Sequence, residues 1–416
     1  MFRRIYLDHS ATTPVDPEVL ETMLPFLTEK FGNASSIHFF GQETRAAVDK
    51  ARHQLAALIN SRPNEIIFTS GGTEANNLAI SGIIESRVGS PHVGSPQVSK
   101  GSTPNGSLHI ITSSIEHPAV KNVCANLEKQ GCNVTYLPVY DDGIVRVEDV
   151  RAALRDDTIL ISIMAANNEI GTLQPIAEIG RLARSLRENG RKIWFHADAV
   201  QAAGKIRLDV EEIGCDLLSM SGHKIYAPKG VGALYVRRGV RLQAQNLGGR
   251  QERGLRGGTE SVPLIAAFGK AAELAQQRLG EDAAKLRRIR DAFETNVFET
   301  VSDATLNGSK ETRLPNISNI SFGGIEGEGL LISLDMQGVA VSTGSACSSG
   351  SLEPSPVIRA LGRNEDKARG AIRFSFGRNN SMEDVDQVLA ILPKSIENLR
   401  RLTPAKKSVP PAAAGG

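Results

Sequence analysis

The sequence lacks several features that would settle its class at once. Its 416 residues hold four cysteines, Cys124, Cys132, Cys215 and Cys347, and no two form a C-x-x-C pair. Without that spacing a structural zinc site is disfavoured. So few thiols in so long a chain make no disulfide framework and point to a reducing compartment. No charge sign dominates, since 48 Lys plus Arg stand against 46 Asp plus Glu, a net +2. That balance gives no electrostatic case for nucleic acid or an anionic membrane. Local basic clusters exist, such as Lys285 to Arg290, which is expected to be a solvated helix face. No segment approaches the ~20 apolar residues of a membrane span. The opening MFRRIYLDHSATTP has no apolar run long enough for a signal peptide. A soluble, cytoplasmic protein is expected.

What is present is an ordinary globular composition, 40% hydrophobic and 23% charged. At ~100–200 residues per domain, the length predicts two or three domains. Short apolar runs recur at EIIFTS, LHIITS, NVTYLPV, TILISIMA, KIWFHA, DLLSMS and VGALYV. Helical patterns such as PAVKNVCANLEKQG and PIAEIGRLARSLRENG lie between several of them. This alternation predicts an α/β fold with about seven strands in residues 65–236, mostly parallel, covered by helices on both faces. The link Ser221 to Gly230 is too short for a crossover helix, so VGALYV should run antiparallel. After about Thr259 the pattern becomes helix-rich, then gives the short strands NISNISF and GAIRFSF and a closing helix. That predicts a smaller α+β C-terminal domain. The Gly/Ser/Pro-rich stretch 87–107 should be a mobile insertion, and the tail after Thr403 disordered.

Three stretches carry chemistry. In IIFTSGGTEANN a strand ends at Thr69, glycines follow, and a helix starts at Thr73. Free N–H groups and the positive end of a helix dipole suit a phosphate at Gly72 and Thr73. A capped helix after a tight turn explains the same residues. FHADAVQ places Asp198 and Gln201, and SMSGHKIYAPKG places Ser221, His223 and Lys224, just beyond consecutive strand ends. Ligands of open parallel sheets bind at that rim. A phosphate cradle, a carboxylate and a lysine together meet the needs of pyridoxal phosphate: a Schiff-base lysine, an acid for the pyridinium nitrogen and a helix end for the phosphate. Singly, Lys224 reads as a solvated lysine and Asp198 as a turn residue. The third stretch, VSTGSACSSG, leaves Cys347 among small polar residues, an unusual setting for a residue type that is mostly buried.

The chain resembles the NifS/IscS family of cysteine desulfurases, fold-type I enzymes dependent on pyridoxal 5'-phosphate. The resemblance runs from YLDHSATTPVDPEV to AIRFSFGR through FGNASSIH, FTSGGTEANN, EHPAV, ANNEIGTLQPI, HADAVQAAGK, SGHKIYAPKGVG, GGRQERGLRGGTE and GSACSSGSLEPS. It implies that Lys224 holds the cofactor covalently and that Asp198 pairs with its ring nitrogen. It implies that His117 stacks on the ring, Gln201 bonds the phenolic oxygen, and Gly72, Thr73, Ser221 and His223 hold the phosphate. Thr259 would reach the phosphate of a neighbouring subunit, which implies a homodimer. Asn168, also beside the cofactor, and Arg373 would bind the carboxylate of L-cysteine. Cys347 would take the sulfur as a persulfide, release L-alanine, and pass the sulfur to an acceptor or iron–sulfur scaffold protein. Its loop should then be weakly ordered, to reach both inward and outward. Cys124, Cys132 and Cys215 are expected to be core thiols. Arg250 stands where many members carry Gly or His, and the insertion is longer than expected.

These implications divide the chain into a large cofactor-binding domain at 15–260, a small domain made of 1–14 and 261–403, and a tail at 404–416. The nearest alternatives are a selenocysteine lyase or another class V aminotransferase.

Overall fold

The computed structural model describes residues 4–88, 108–343 and 353–402. Cys347 and its loop, nearly all of the 87–107 insertion and the tail 404–416 lie outside the described residues.

Strand β1 (Ile5–Tyr6) stands apart from the main sheet. The seven expected strands follow as β2 (Ile66–Thr69), β3 (His109–Ser113), β4 (Asn133–Leu137), β5 (Thr158–Ser162), β6 (Trp194–Asp198), β7 (Leu217–Ser221) and β8 (Gly232–Val236). They form one sheet in the order β2-β8-β7-β6-β5-β3-β4. As expected, β8 is antiparallel to β7, and it is also antiparallel to β2. The other pairings are parallel. Strands β2, β3, β5, β7 and β8 are buried at every position, because helices cover both faces. Neighbouring residues split between two cores: Ile67, Ile110 and Leu217 pack under the helices Gly72–Val88 and Pro118–Lys129, while Ile66, Ile111 and Leu218 face the other layer. That division is the period-2 alternation of strand side chains.

Strands β9 (Ala304–Leu306), β10 (Ile317–Phe322) and β12 (Ala371–Ser375) form a three-stranded antiparallel sheet, and β11 (Val339–Ala340) pairs with β1. The helix-rich stretch expected after Thr259 is one helix, Val262–Thr300, of 39 residues. Its first half, Val262 to Ala275, packs in the core below the main sheet. Its second half, Leu286 to Val297, packs with Phe322, Phe374 and Phe376 in a separate core. The helix thus spans both cores, and the division placed at 260/261 falls beside its first turn.

Two local expectations are corrected. The Lys285 to Arg290 cluster is not all solvated: Arg290 is buried and donates to the Leu314 carbonyl at 2.6 Å and to Asp291. Spacing along a helix cannot reveal such a distant acceptor. Cys124 and Cys215 are core thiols, but Cys132 is only half-buried, at the margin of its cluster.

Candidate active site

The rim at the carboxyl end of the parallel strands is built by chain segments that stop there for local reasons. β2 ends at Thr69 and the helix Gly72–Val88 begins at once, one residue earlier than expected. A Cβ on Gly72 would meet Val200 Cγ2 at 2.6 Å, so only glycine lets the turn close there. Asp198 and Ser221 are the last residues of β6 and β7 rather than the first beyond them. A single helical turn, Gly222–Lys224, then presents the lysine. His117 caps the helix Pro118–Lys129, its Nδ1 accepting from the Ala119 N–H at 3.1 Å.

These segments enclose a cavity of about 280 Å³. Ten of the residues singled out in the sequence line it: Gly72, Thr73, His117, Asn168, Asp198, Gln201, Ser221, His223, Lys224 and Arg373. Thr259 is not among them and sits on an exposed loop. Cys347 lies outside the described residues.

Each polar group in the cavity is held by a specific partner. The Asp198 Oδ2 accepts from Asn76 Nδ2 at 2.7 Å and its Oδ1 from the Val200 N–H at 3.0 Å. Lys224 Nζ donates to the carbonyls of Ser10 and Ala11, the latter at 2.7 Å. Gln201 Nε2 donates to the Ser10 carbonyl at 2.9 Å. Arg373, only 4% exposed at its side chain, pairs with Asp8 at 2.7 Å and donates to the Asn168 carbonyl at 2.9 Å.

Electrostatics follow from burial and from the cluster of cations. Burial lowers the pKa of His117; Asp198 opposes the shift, and Lys224 and Arg373 reinforce it. With Nδ1 occupied as an acceptor, the neutral ring carries its proton on Nε2. Burial, then Lys224, pushes His223 down to about 4. Burial and Lys224 also push Lys205 down to about 7, and its Nζ donates to the carbonyls of Gln201 and Lys224 at 3.1 and 3.3 Å.

Beside His117, Glu116 is fully enclosed and its carboxyl is pushed up to about 8 by burial. It accepts from Ser113 Oγ and the Met164 N–H. The folded state therefore keeps a proton that the unfolded chain releases, and stability falls as pH rises from about 4.5 to about 8. Glu116→Gln should flatten that fall. Urea unfolding at pH 5 and pH 8 checks it, and an unchanged difference between the two midpoints would refute the assignment.

The residues present fit pyridoxal phosphate. Gln201 Oε1 and Arg373 Nε are buried without a hydrogen-bond partner, and both residues line the cavity. Orphaned polar atoms of this kind call for a polar ligand. The turn before Thr73 leaves open space at Gly71 and admits no side chain at Gly72, as a phosphate cradle requires. No group of His, Cys, Asp and Glu able to hold a metal occurs among the described residues.

Sequence inspection missed Asp8, Ser10, Ala11, Asn76 and Lys205. Asn76 had a signal, since it lies one helical turn after Gly72 within FTSGGTEANN and shares its face. Asp8, Ser10 and Ala11 lie in YLDHSATT, whose partners are more than 190 residues away, and nothing local marks them.

The family model described as aminotransferase class-V matches residues 5–388. A protein named cysteine desulfurase IscS from Dictyoglomus turgidum is 49% identical over 98% of each chain. Another of that name from Clostridium botulinum is 48% identical over 97% of each. Among solved structures, a NifS-like protein superposes with a TM-score of 0.85 at 35% identity, covering 95% of this chain and 100% of its own. A structure described as SspA in complex with cysteine gives a TM-score of 0.76 at 36% identity, over 89% and 98% of the two chains.

Proposed function

The chain belongs to the aminotransferase class-V family, and on that premise we propose how its rim withdraws sulfur from L-cysteine. The protein is a cysteine desulfurase dependent on pyridoxal phosphate. The convergence of Lys224, Asp198, His117 and Arg373 on one cavity carries the assignment of roles. When bound, the cofactor supplies an electron sink that weakens bonds at the substrate's α- and β-carbons.

Lys224 would hold the cofactor's aldehyde carbon and, once released, take the proton from the substrate Cα. Asp198, fixed by Asn76 and the Val200 amide, would keep the ring nitrogen protonated. Gln201 would meet the phenolic oxygen. Gly72, Thr73, Ser221 and His223 would hold the phosphate. His117, neutral and protonated at Nε2, would lie against the ring face and can give or take a proton there. Arg373 would hold the substrate carboxylate, with Nε as the donor still without a partner, and Asn168 would line the same side. The thiolate of Cys347 would attack the substrate sulfur. The S–S bond forms, the Cβ–S electron pair stays on carbon, a proton follows, and L-alanine leaves. The sulfur then passes from Cys347 to an acceptor of iron–sulfur cluster assembly.

The exposed aromatic group of Phe31, Phe39 and Phe40 supports a homodimer. Phe31 and Phe40 stack at 5.6 Å, and Phe39 meets Phe40 at 5.7 Å. Beside them Ile37 is 91% exposed. Isolated monomers seldom keep such a patch in water. In the dimer Thr259, on its exposed loop, would reach the other copy's phosphate. The division into domains at 15–260, and at 1–14 with 261–403, belongs to the same proposal. So does a cytoplasmic location, which the free thiols Cys124, Cys132 and Cys215 favour.

Visible absorbance with a sulfide and alanine assay on L-cysteine tests the function. Conversion of the cofactor to pyridoxamine without sulfide would point to an aminotransferase, and release of selenide far faster than sulfide to a selenocysteine lyase. Arg373→Lys is expected to raise KM for L-cysteine roughly 30-fold, equal to about 2 kcal/mol for one lost charge-assisted contact, with a smaller change in kcat. Steady-state kinetics checks this, and an unchanged KM would remove Arg373 from the substrate site.

A further inference from the structure

The segment 246–259 carries Thr259 and is tied down in an unusual way. Two consecutive non-glycine residues within it, Glu252 and Arg253, adopt left-handed backbone conformations with φ of 45° and 58°. Such strain persists only where surrounding contacts over-determine it. The contacts are three carboxylate–guanidinium pairs. Arg52 grips Glu252 with two parallel hydrogen bonds of 2.8 Å. Arg45 pairs with Glu260 at 3.1 Å. Arg256 pairs with Glu74 at 2.9 Å. Arg45 and Arg52 lie seven residues apart on the helix Phe39–Leu58, so they share one face and hold the segment at its middle and just past its C-terminal end. Glu260 directly follows Thr259.

The same pairs reach the phosphate cradle. Strand β2 is the edge of the main sheet. Glu252 Oε2 accepts from the Phe68 N–H at 3.0 Å, and Arg52 donates to the Ile66 carbonyl at 2.7 Å. These bonds occupy backbone groups that an open edge would leave unpaired. Glu74 sits in the first turn of the cradle helix and accepts from the Ser70 N–H at 2.7 Å. Strap and cradle are therefore one rigid hydrogen-bonded piece.

We propose that Glu252, with Arg45, Arg52 and Arg256, is a positioning residue that fixes Thr259 so that one copy of the chain completes the phosphate site of another. This rests on the assignment of Thr259 to a neighbouring phosphate. Only the phosphate-bearing cofactor should sense the strap, because no member of it lines the cavity that receives the ring.

The test compares binding of pyridoxal phosphate and of pyridoxal to the cofactor-free full-length protein by visible absorbance, with the oligomeric state read by light scattering. Thr259→Val should weaken pyridoxal phosphate about ten-fold and leave pyridoxal unchanged. Glu252→Gln should do the same. The double variant should be no weaker than either single one, since both act on one contact. Multiplied losses, or equal losses for both ligands, would overturn the proposal, because Glu252 would then act independently of Thr259. Weakening by Thr259→Val but not by Glu252→Gln would also overturn it. If Thr259→Val itself has no effect, the assignment of Thr259 fails, and the proposal with it. Arg45→Gln, at the more exposed end of the strap, repeats the test should Glu252→Gln not fold.

Discussion

Lys224→Ala is expected to remove the borohydride-reducible attachment of pyridoxal phosphate and to lower turnover of L-cysteine by at least ~10⁴-fold. Two tasks are proposed for this side chain, holding the cofactor and moving the Cα proton, and alanine performs neither. Lys224 is the one lysine lining the cavity among the described residues. Its Nζ is aimed by the Ser10 and Ala11 carbonyls. Lys205 is the nearest rival, but it lines the adjoining chamber and not the cavity that holds Asp198 and His117. Reduction with borohydride, digestion and mass spectrometry locate the labelled lysine. A label on Lys205 or any other lysine in the unsubstituted protein would overturn the assignment.

Cys347→Ala is expected to leave the cofactor's visible spectrum intact while sulfide and alanine formation fall by at least ~10³-fold. The two signals separate because the residues proposed to hold the cofactor are distinct from the one proposed to take the sulfur. The other thiols are poorly suited to the task. Burial pushes Cys124 up to about 12, and it pushes Cys215 and Cys132 up as well. A thiol held protonated is a weak nucleophile at neutral pH. None of the three lines the cavity. Full desulfurase activity in Cys347→Ala would therefore refute the role of Cys347 without touching that of Lys224. Trapping the persulfide on the unsubstituted protein and mapping it to Cys347 gives the positive counterpart.

Much of the site was legible because its chemistry is attached to local signals. A helix start after glycines, a lysine one turn past a strand and an acid at the end of the neighbouring strand can each be read within a few residues. The strand count followed from the recurring apolar runs, and the antiparallel β8 from its short link, since ten residues cannot return a parallel strand. The groups that orient those residues were hidden. Asn76 holds Asp198 across 122 positions, and Asp8 holds Arg373 across 365. The burial of Arg290 was hidden in the same way, its acceptor lying on a separate segment.

The sequence by itself determined the parallel sheet, the rim at which a glycine turn, an acid and a lysine converge, and the family through motifs spread along the chain. Those features arise from side-chain periodicity and from residue types that tolerate few backbone conformations. Only the tertiary structure decided which charges meet. It paired Arg373 with Asp8, set Lys205 behind Lys224, and bound the Thr259 segment to the sheet edge through Arg52 and Glu252. Ion pairs form wherever packing places two charges, and sequence separation carries no record of that distance.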